Sequence, residues 1–142
     1  MRFMMFVRAD KNTEAGVLPS KELVAAMGRF NEEMMKAGVL LAAEGIHPSS
    51  KGARITFSRG APTVTDGPFP DKELVAGFWM IQAKSKNEAI EWAKRVPFTE
   101  GAVIEIRQVF EAADFPPEVL PPPDAAREHA MREELGRMRG KR

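Results

Sequence analysis

The sequence predicts an α+β protein with the element order strand, helix, strand, hairpin, strand, helix, strand. Short apolar runs with strand periodicity supply the strands, at residues 2–8, 39–43, 53–58, 62–65, 74–83 and 102–110. One helix is marked by an apolar stripe and the other by a capping box. This order is the ferredoxin-like β-α-β-β-α-β pattern with a hairpin insertion, in which both helices cover one face of an antiparallel sheet.

The N-terminal strand and helix show two different apolar patterns. The middle of the strand at residues 2–8 is apolar on both faces, which predicts burial on both sides. A polar loop is expected at residues 10–16. Ser20 is expected to cap the first helix and Gly38 to end it. One face of this helix carries the apolar stripe, formed by Leu23, Met27, Phe30 and Met34.

The middle of the chain is predicted to be a hairpin between two loops. Residues 44–52 form the first loop, and the hairpin arms are residues 53–58 and 62–65. Pro62 restricts the second arm to a sheet edge or a short strand. Residues 66–71 are expected to be irregular because two prolines remove two backbone donors.

The strongest strand prediction covers residues 74–83, which are apolar on both faces and therefore expected at the centre of the sheet. Ser85 and Glu88 form a capping box at the start of the second helix. This helix is expected to run to about Val96, because Pro97 ends it.

The composition changes near residue 110, so we expect a folded domain at residues 1–110 and a C-terminal region at residues 111–142. Residues 115–123 contain five prolines and predict an extended arm. A terminal helix is expected from Ala125 to about Gly136, with Asp124 as its cap.

The predicted terminal helix has a narrow apolar stripe and two favourable charge pairs. The stripe consists of Met131, Leu135 and Met138, and the i,i+4 pairs are Glu128–Arg132 and Glu133–Arg137. The last six residues, RMRGKR, carry four positive charges. Such a run is typical of a solvated tail, and a contact with nucleic acid or a partner protein is the alternative.

Composition excludes several classes of function. The chain has 142 residues and no cysteine, which excludes disulfides, thiolate nucleophiles and cysteine-ligated metals. The formal net charge of +1 gives no overall attraction to nucleic acid, so specific nucleic-acid binding is not expected. No apolar run is long enough to span a membrane and no signal-peptide core is recognisable, so we expect a cytoplasmic protein.

A homodimer is the simplest way to bury the second face of the sheet. Two strands are apolar on both faces, whereas the helices cover only one face. A second copy with its sheet facing the first would cover the remainder. The alternative is that the Pro-rich arm and terminal helix fold back over that face.

A family resemblance rests on the stretch from Gly60 to Pro97. This stretch resembles the DGPF proteins of the broader YCII-related family in Asp66-Gly67-Pro68-Phe69, Lys72-Glu73, Gly77-Phe78 and the helix capped by Ser85. The flanking runs Glu44–Pro48 and Glu105–Arg107 resemble the same family. The resemblance covers residues 1 to about 110. It implies the dimeric α/β-barrel variant of the ferredoxin-like fold. It also implies a possible enzymatic His–Asp pair in a pocket, and an association with sigma factors of the extracytoplasmic-function type.

His47 and Asp66 are the first candidates for catalysis. Histidine is the natural general base near neutral pH, and a carboxylate can fix its tautomer. Both residues are expected in loops that can open at the same end of the sheet. The alternatives are an exposed loop histidine and an Asp66 carboxylate that stabilises its own turn.

The ligand-binding candidates are charged or aromatic residues near these loops. Glu44 and Glu73 could divide acid and base roles, or be simply solvated. Arg107 and Glu105 lie on the strand face opposite Ile104 and Ile106, and both are ligand-binding candidates. Arg107 could bind a carboxylate, and the alternative is a salt bridge such as one with Glu105 on the same face. Arg54 is a weaker candidate of the same kind. Phe69, Phe78 and Trp79 could line an apolar pocket, although core positions are the alternative for Phe78 and Trp79.

Three functions remain open from the sequence. The protein could perform acid–base chemistry with a His–Asp pair on a small molecule, acidic or not, with no metal or cofactor expected because no ligand spacing is recognisable. It could instead be a non-catalytic ligand-sensing or protein-interaction module with a sigma factor as partner. In the third case, the Asp66–Phe69 turn serves only to close the fold.

Overall fold

A computed structural model describes residues 1–140, and its centre is a four-stranded antiparallel sheet with the strand order β2-β5-β1-β6. The sheet strands are β1 (Arg2–Arg8), β2 (Leu40–Gly45), β5 (Val75–Gln82) and β6 (Ile104–Gln108). The helices are α1 (Lys11–Glu14), α2 (Lys21–Lys36), α3 (Lys86–Lys94) and α4 (Pro122–Gly140), and the hairpin strands are β3 (Ala53–Phe57) and β4 (Pro62–Asp66). This is the predicted ferredoxin-like order, with β5 central as expected.

The hydrophobic core lies between one face of the sheet and the helices α2 and α3. Phe3 and Met5 of β1 and Trp79 and Ile81 of β5 are buried there, together with side chains from both helices. The helical contributors are Phe30, Met34 and Ala89, with Met27, Trp92 and Ala93 packed at the border. Both helices therefore cover the same face, as the pattern of the sequence predicts.

The opposite face of the sheet carries a second set of apolar side chains, which are half-buried. Met4 pairs with Met80, and Phe6 pairs with Phe78, on neighbouring central strands. Because directly opposed residues share a face, these four side chains form one continuous patch. We call Met4, Phe6, Phe78 and Met80 the outer patch.

The hairpin forms a separate two-stranded sheet, and all ten of its strand residues are exposed. Ala53 pairs with Asp66 at its open end. Asp66 therefore belongs to β4, not to the irregular segment expected at residues 66–71. The peptide bond between Gly67 and Pro68 is cis.

Several boundaries differ from the predictions for local reasons. The expected loop at residues 10–16 contains α1, which Asp10 caps by accepting a hydrogen bond from the Thr13 amide at 2.8 Å. β2 extends through Gly45, two residues further than expected. α3 ends at Lys94, with Arg95 as its C-cap, two residues before the expected end at Val96. Pro97 disfavours helical geometry at Val96, the residue before it.

One of the two contacts predicted for the capping box of α3 has a different partner in the structure. Ser85 Oγ accepts from the Glu88 amide at 3.1 Å, as predicted. The Glu88 carboxylate instead accepts from the Lys84 amide at 2.9 Å. Ser20 caps α2 in the expected way, with its hydroxyl accepting from the Leu23 amide at 3.1 Å.

The strand β6 is shorter than the range 102–110 expected for it. Its pairing with β1 nevertheless continues at both ends, through the Arg8 amide to the Val103 carbonyl at 3.0 Å and the Val109 amide to the Arg2 carbonyl at 2.9 Å. The strand therefore pairs with β1 over most of its predicted range and forms one edge of the sheet.

The chain divides into two compact units, one covering Met1–Val109 and the other starting at Phe110. In the second unit, a turn at Ala112–Asp114 precedes the segment expected to be an extended arm. The arm itself, at residues 115–123, contains a turn in which the Leu120 amide donates to the Pro116 carbonyl at 2.9 Å. α4 starts at Pro122, before the predicted Ala125, because the first turn of a helix needs no proline N–H.

α4 also differs from the prediction in its charge pairs and its end. Asp124 lies in its first turn and pairs with Arg127, so it is not the cap. The predicted pair Glu128–Arg132 is present at 2.8 Å. The predicted pair Glu133–Arg137 is absent, because Glu133 pairs with His129 and Arg137 pairs with Glu134. The helix continues to Gly140, and the last two residues of the basic run lie outside the described residues.

Residues 1–140 contain no helix that is both long and apolar enough to cross a membrane.

Candidate functional site

A surface pocket of about 400 Å³ lies at the end of the sheet where β2 stops and β5 starts. The Ile46 amide donates to the Ala76 carbonyl at 2.9 Å, and the Ala9 amide donates to the Leu74 carbonyl at 2.8 Å. These bonds hold the first residues after β1 and β2 against the start of β5. The pocket is lined by residues from four chain segments, namely Glu14, Ile46, His47, Pro48, Ser49, Lys51, Gly52, Arg54, Phe69, Leu74 and Val75.

The close approach of β2 and β5 next to the pocket depends on Gly77. A Cβ atom at Gly77 would lie 2.9 Å from the Glu44 carbonyl oxygen and 3.3 Å from the Gly45 Cα atom. Any larger residue would push the two backbones apart. Gly77 therefore fixes where the His47 loop leaves the sheet.

Ser49 joins three segments around the pocket. The Glu14 carboxylate accepts from the Ser49 amide at 2.9 Å and from the Ser49 hydroxyl at 2.5 Å. The same hydroxyl oxygen accepts from the Phe69 amide at 3.0 Å. The Ser49 hydroxyl and amide bonds lower the pKa of Glu14, against a smaller opposing effect of burial. We call Glu14, Ser49 and Phe69 the Ser49 network.

The turn after the hairpin packs directly against the same loop. The Gly67 amide donates to the Gly52 carbonyl at 3.0 Å. A Cβ atom at Gly67 would lie only 1.7 Å from the Ser49 carbonyl oxygen, so only glycine fits there. The turn that carries the family-like motif and the loop after β2 thus form one wall.

Arg54 and Phe69 form the charged and aromatic part of that wall. The Arg54 guanidinium carbon lies 3.9 Å from the centroid of the Phe69 ring, which is a cation–π geometry. The same guanidinium forms an ion pair with the Asp71 carboxylate. Phe69 thus lies where the sequence predicts a ligand-binding aromatic residue, although its ligand role stays a prediction.

His47 lines the pocket and is exposed, whereas Asp66 is not a lining residue. No hydrogen bond or ion pair joins His47 to Asp66, and neither side chain has such a partner within residues 1–140. The Asp66 carboxylate therefore does not make the turn-stabilising hydrogen bonds that the architectural alternative requires. The structure brings the two loops together but not the two side chains into contact, and the catalytic pair stays a prediction.

Glu105, Arg107 and Glu73 belong to a charge cluster outside the pocket. Arg8 donates to Glu105 at 2.7 Å and lies 3.5 Å from Glu73, while Arg107 lies 3.3 Å from Glu105. The hydrogen bond from Arg8, followed by that from Arg107, lowers the pKa of Glu105. Ile104 and Ile106 pack against the core, so Glu105 and Arg107 face outward as predicted. Arg107 thus makes the salt bridge that was the alternative to ligand binding.

The remaining candidates occupy different surroundings. Glu44 is exposed at the end of β2, opposite Phe78, and does not line the pocket. Phe78 belongs to the outer patch. Trp79 is a core residue, only 3% exposed, and its indole N–H donates to Asn31 at 2.8 Å. Within residues 1–140, no group of three or more acidic or histidine side chains is placed to hold a metal ion.

Sequence reasoning missed Glu14 and Arg8. Glu14 lies in a polar segment with no motif, and its partner Ser49 is 35 residues away along the chain. Arg8 ends a strand and pairs with Glu105, 97 residues away. No local signal in the sequence indicates either contact.

The sheet, the two helices on one face and the pocket at the end of β2 define an α+β protein of the ferredoxin-like class. The sequence profile of the YCII-related domain family matches residues 1–113, which include every residue of the pocket. The chain belongs to this family. No curated protein matches the chain. The narrower DGPF grouping and the dimeric barrel stay predictions.

Proposed function

We propose that the pocket binds a small acidic molecule and that His47 exchanges protons with it. The observation that carries this proposal is the composition of the wall, in which His47, Lys51 and Arg54 line the same pocket as apolar residues such as Ile46 and Leu74. The cationic side chains of Lys51 and Arg54 beside an apolar surface suit a compact anion with a hydrocarbon body.

His47 is the residue best suited to the proton-transfer step. Imidazole changes its charge near neutral pH, and this side chain reaches the pocket without a competing partner within residues 1–140. Asp66 is proposed as the carboxylate that orients His47 when a ligand is bound. The support for Asp66 is the bond between its neighbour Gly67 and Gly52 in the His47 loop.

Deuterium exchange tests the acid–base step without knowledge of the natural substrate. The full chain would be incubated in D₂O with a panel of 2-oxo-acids and 3-oxo-acids, and loss of the proton NMR signals next to the carbonyl would be followed. We expect accelerated exchange for at least one acid and loss of that acceleration in His47→Gln. His129→Gln removes the other histidine, in α4, and serves as the matched control.

Two results contradict the acid–base proposal. One is exchange in His47→Gln at the rate of the unaltered protein. The other is the absence of acceleration for every acid in the panel at saturating binding, which leaves a binding function alone.

The alternative function is a non-catalytic ligand-sensing or protein-interaction module whose partner is an extracytoplasmic-function-type sigma factor. The observation that favours it is the apolar stripe of α4, where Met131, Leu135 and Met138 are 58%, 49% and 53% exposed. Leu135→Glu should then weaken binding of the sigma factor, measured by calorimetry, whereas Ala126→Glu on another side of the helix should not. Equal binding by both variants excludes this role for the stripe.

The proposal includes a homodimer formed through the outer patch, and a cytoplasmic location. The support for the dimer is that the outer patch is continuous and lies on the sheet face opposite the helices.

A further inference from the structure

We propose that Arg54 is the anion-binding residue of the pocket and that Asp71 occupies it in the absence of ligand. A carboxylate ligand would then bind by displacing the Asp71 carboxylate from the Arg54 guanidinium. This inference rests on the proposed binding function of the pocket. It adds the identity of the binding residue, the class of ligand and a built-in competitor.

The Arg54 side chain lines the pocket and also pairs with a carboxylate of the same chain. It is one of the lining residues, and it forms the ion pair with Asp71, which does not line the pocket. The guanidinium lies over the Phe69 ring, at 3.9 Å from the centroid. Contact with the ring restricts the guanidinium, so less conformational freedom is lost when a carboxylate binds to it.

A ligand can replace Asp71 in the ion pair with Arg54. Their side chains are 46% and 47% exposed, and exposed ion pairs contribute little stability. A ligand carboxylate offers the guanidinium the same two-oxygen acceptor as Asp71 does. Ligand binding therefore exchanges one carboxylate for another and leaves no buried charge without a partner.

The other charges of the pocket favour an anion of modest size. Glu14 is already held by the two hydrogen bonds from Ser49, so its negative charge is partly satisfied. Lys51 lines the pocket and forms no ion pair within residues 1–140. Ile46 and Leu74 supply apolar surface beside these cations. The ligand class is therefore a small organic carboxylate with a flat or short apolar body.

Benzoate and inorganic phosphate are suitable probes, because both are anions but only benzoate has a carboxylate and an apolar ring. The full chain labelled with ¹⁵N would be titrated with each, and the shift of the Gly52 amide would give the dissociation constant. The variants are Arg54→Gln and Asp71→Asn. Their matched controls are Arg59→Gln and Glu100→Gln, which make the same charge changes at exposed positions outside the pocket.

We expect benzoate to bind more tightly than phosphate to the unaltered protein. Arg54→Gln should weaken benzoate binding by about tenfold or more, because the charge-assisted pair is lost. Asp71→Asn should tighten it by about twofold to fivefold, the factor that corresponds to a released surface ion pair. Arg54→Lys keeps the charge but loses the two-pronged geometry, and we expect intermediate affinity. Both controls should bind as the unaltered protein does.

Three results overturn the inference. If Arg54→Gln binds benzoate as tightly as the unaltered protein while the Gly52 amide still shifts, the pocket binds carboxylates without Arg54, and only this inference fails. If Asp71→Asn binds no more tightly than Glu100→Gln does, Asp71 is not a competitor. If neither the unaltered protein nor Asp71→Asn shows a shift at the pocket, both this inference and the proposed binding function fail.

Discussion

At the scale of single residues, Ser49 decides the shape of the candidate site. Its amide and hydroxyl bind the Glu14 carboxylate, and its hydroxyl oxygen receives the Phe69 amide. The three segments that it joins have no regular pairing with one another in the sheet. The Ser49 network therefore holds the pocket together where the sheet cannot.

Ser49→Ala should raise the pKa of Glu14 towards the ordinary value of a glutamate. The largest cause of the lowered pKa, the hydroxyl donor, is removed, while the amide donor remains. The pKa of the Glu14 side chain can be measured by following its carboxyl carbon by NMR as pH is changed. Ser50→Ala alters the neighbouring exposed serine and should leave that pKa unchanged. An identical Glu14 titration in Ser49→Ala would contradict the account.

The lowered pKa of Glu14 determines how the stability of the fold depends on pH. A carboxylate whose pKa is lower in the folded than in the unfolded protein stabilises the fold fully above its unfolded-state pKa. Its contribution is lost as pH falls through the lower, folded-state pKa. The Ser49 network should therefore weaken on acidification, and Ser49→Ala should show less acid-dependent loss of stability than Ser50→Ala does.

At the scale of the elements, one side-chain hydrogen bond fixes α2 to the centre of the sheet. The buried Trp79 indole of β5 donates to Asn31 of α2 at 2.8 Å, and its ring meets Phe30 edge to face at 5.8 Å between centroids. α2 thus has a defined position along β5, which in turn starts at the pocket.

Asn31→Ala should lower the free energy of unfolding by about 1–3 kcal/mol, because a buried indole N–H loses its acceptor. Urea unfolding followed by tryptophan fluorescence measures this change. The control is Asn87→Ala, at an exposed position of α3, which should change the free energy of unfolding by less than about 0.5 kcal/mol. Equal effects of the two substitutions would show that the Asn31 bond contributes nothing.

The elements also show which features can be predicted from a sequence. Ser20 and Ser85 cap helices through bonds to residues three positions away, and β5 is apolar up to its last residue, Gln82, so local patterns are sufficient. The contacts of Ser49 with Glu14 and of Arg54 with Asp71 join loops whose mutual placement depends on the complete fold. The fold was therefore predictable, whereas much of the pocket wall was not.

At the scale of the whole molecule, the outer patch leads to a prediction about assembly. If two outer patches face each other, sedimentation equilibrium should give a molecular mass twice the chain mass of 15.8 kDa. Phe78→Glu places a charge within the patch and should give monomers in sedimentation equilibrium. Phe57→Glu makes the same change on the exposed hairpin and should leave the dimer intact.

Circular dichroism would verify that Phe78→Glu remains folded, and Met80→Glu provides a second variant in the patch. The predicted dimer is wrong if the unaltered protein sediments as a monomer over the accessible concentration range. Dimers of unchanged stability in both patch variants would place the interface elsewhere.

The pocket beside His47 is proposed as a binding site for small carboxylates. A crystal structure of the full chain grown with benzoate as the only organic carboxylate tests it most directly. We expect benzoate in the pocket, with its carboxylate on Arg54 and Asp71 displaced. An empty pocket at saturating benzoate, with the Arg54–Asp71 pair intact, would contradict the claim.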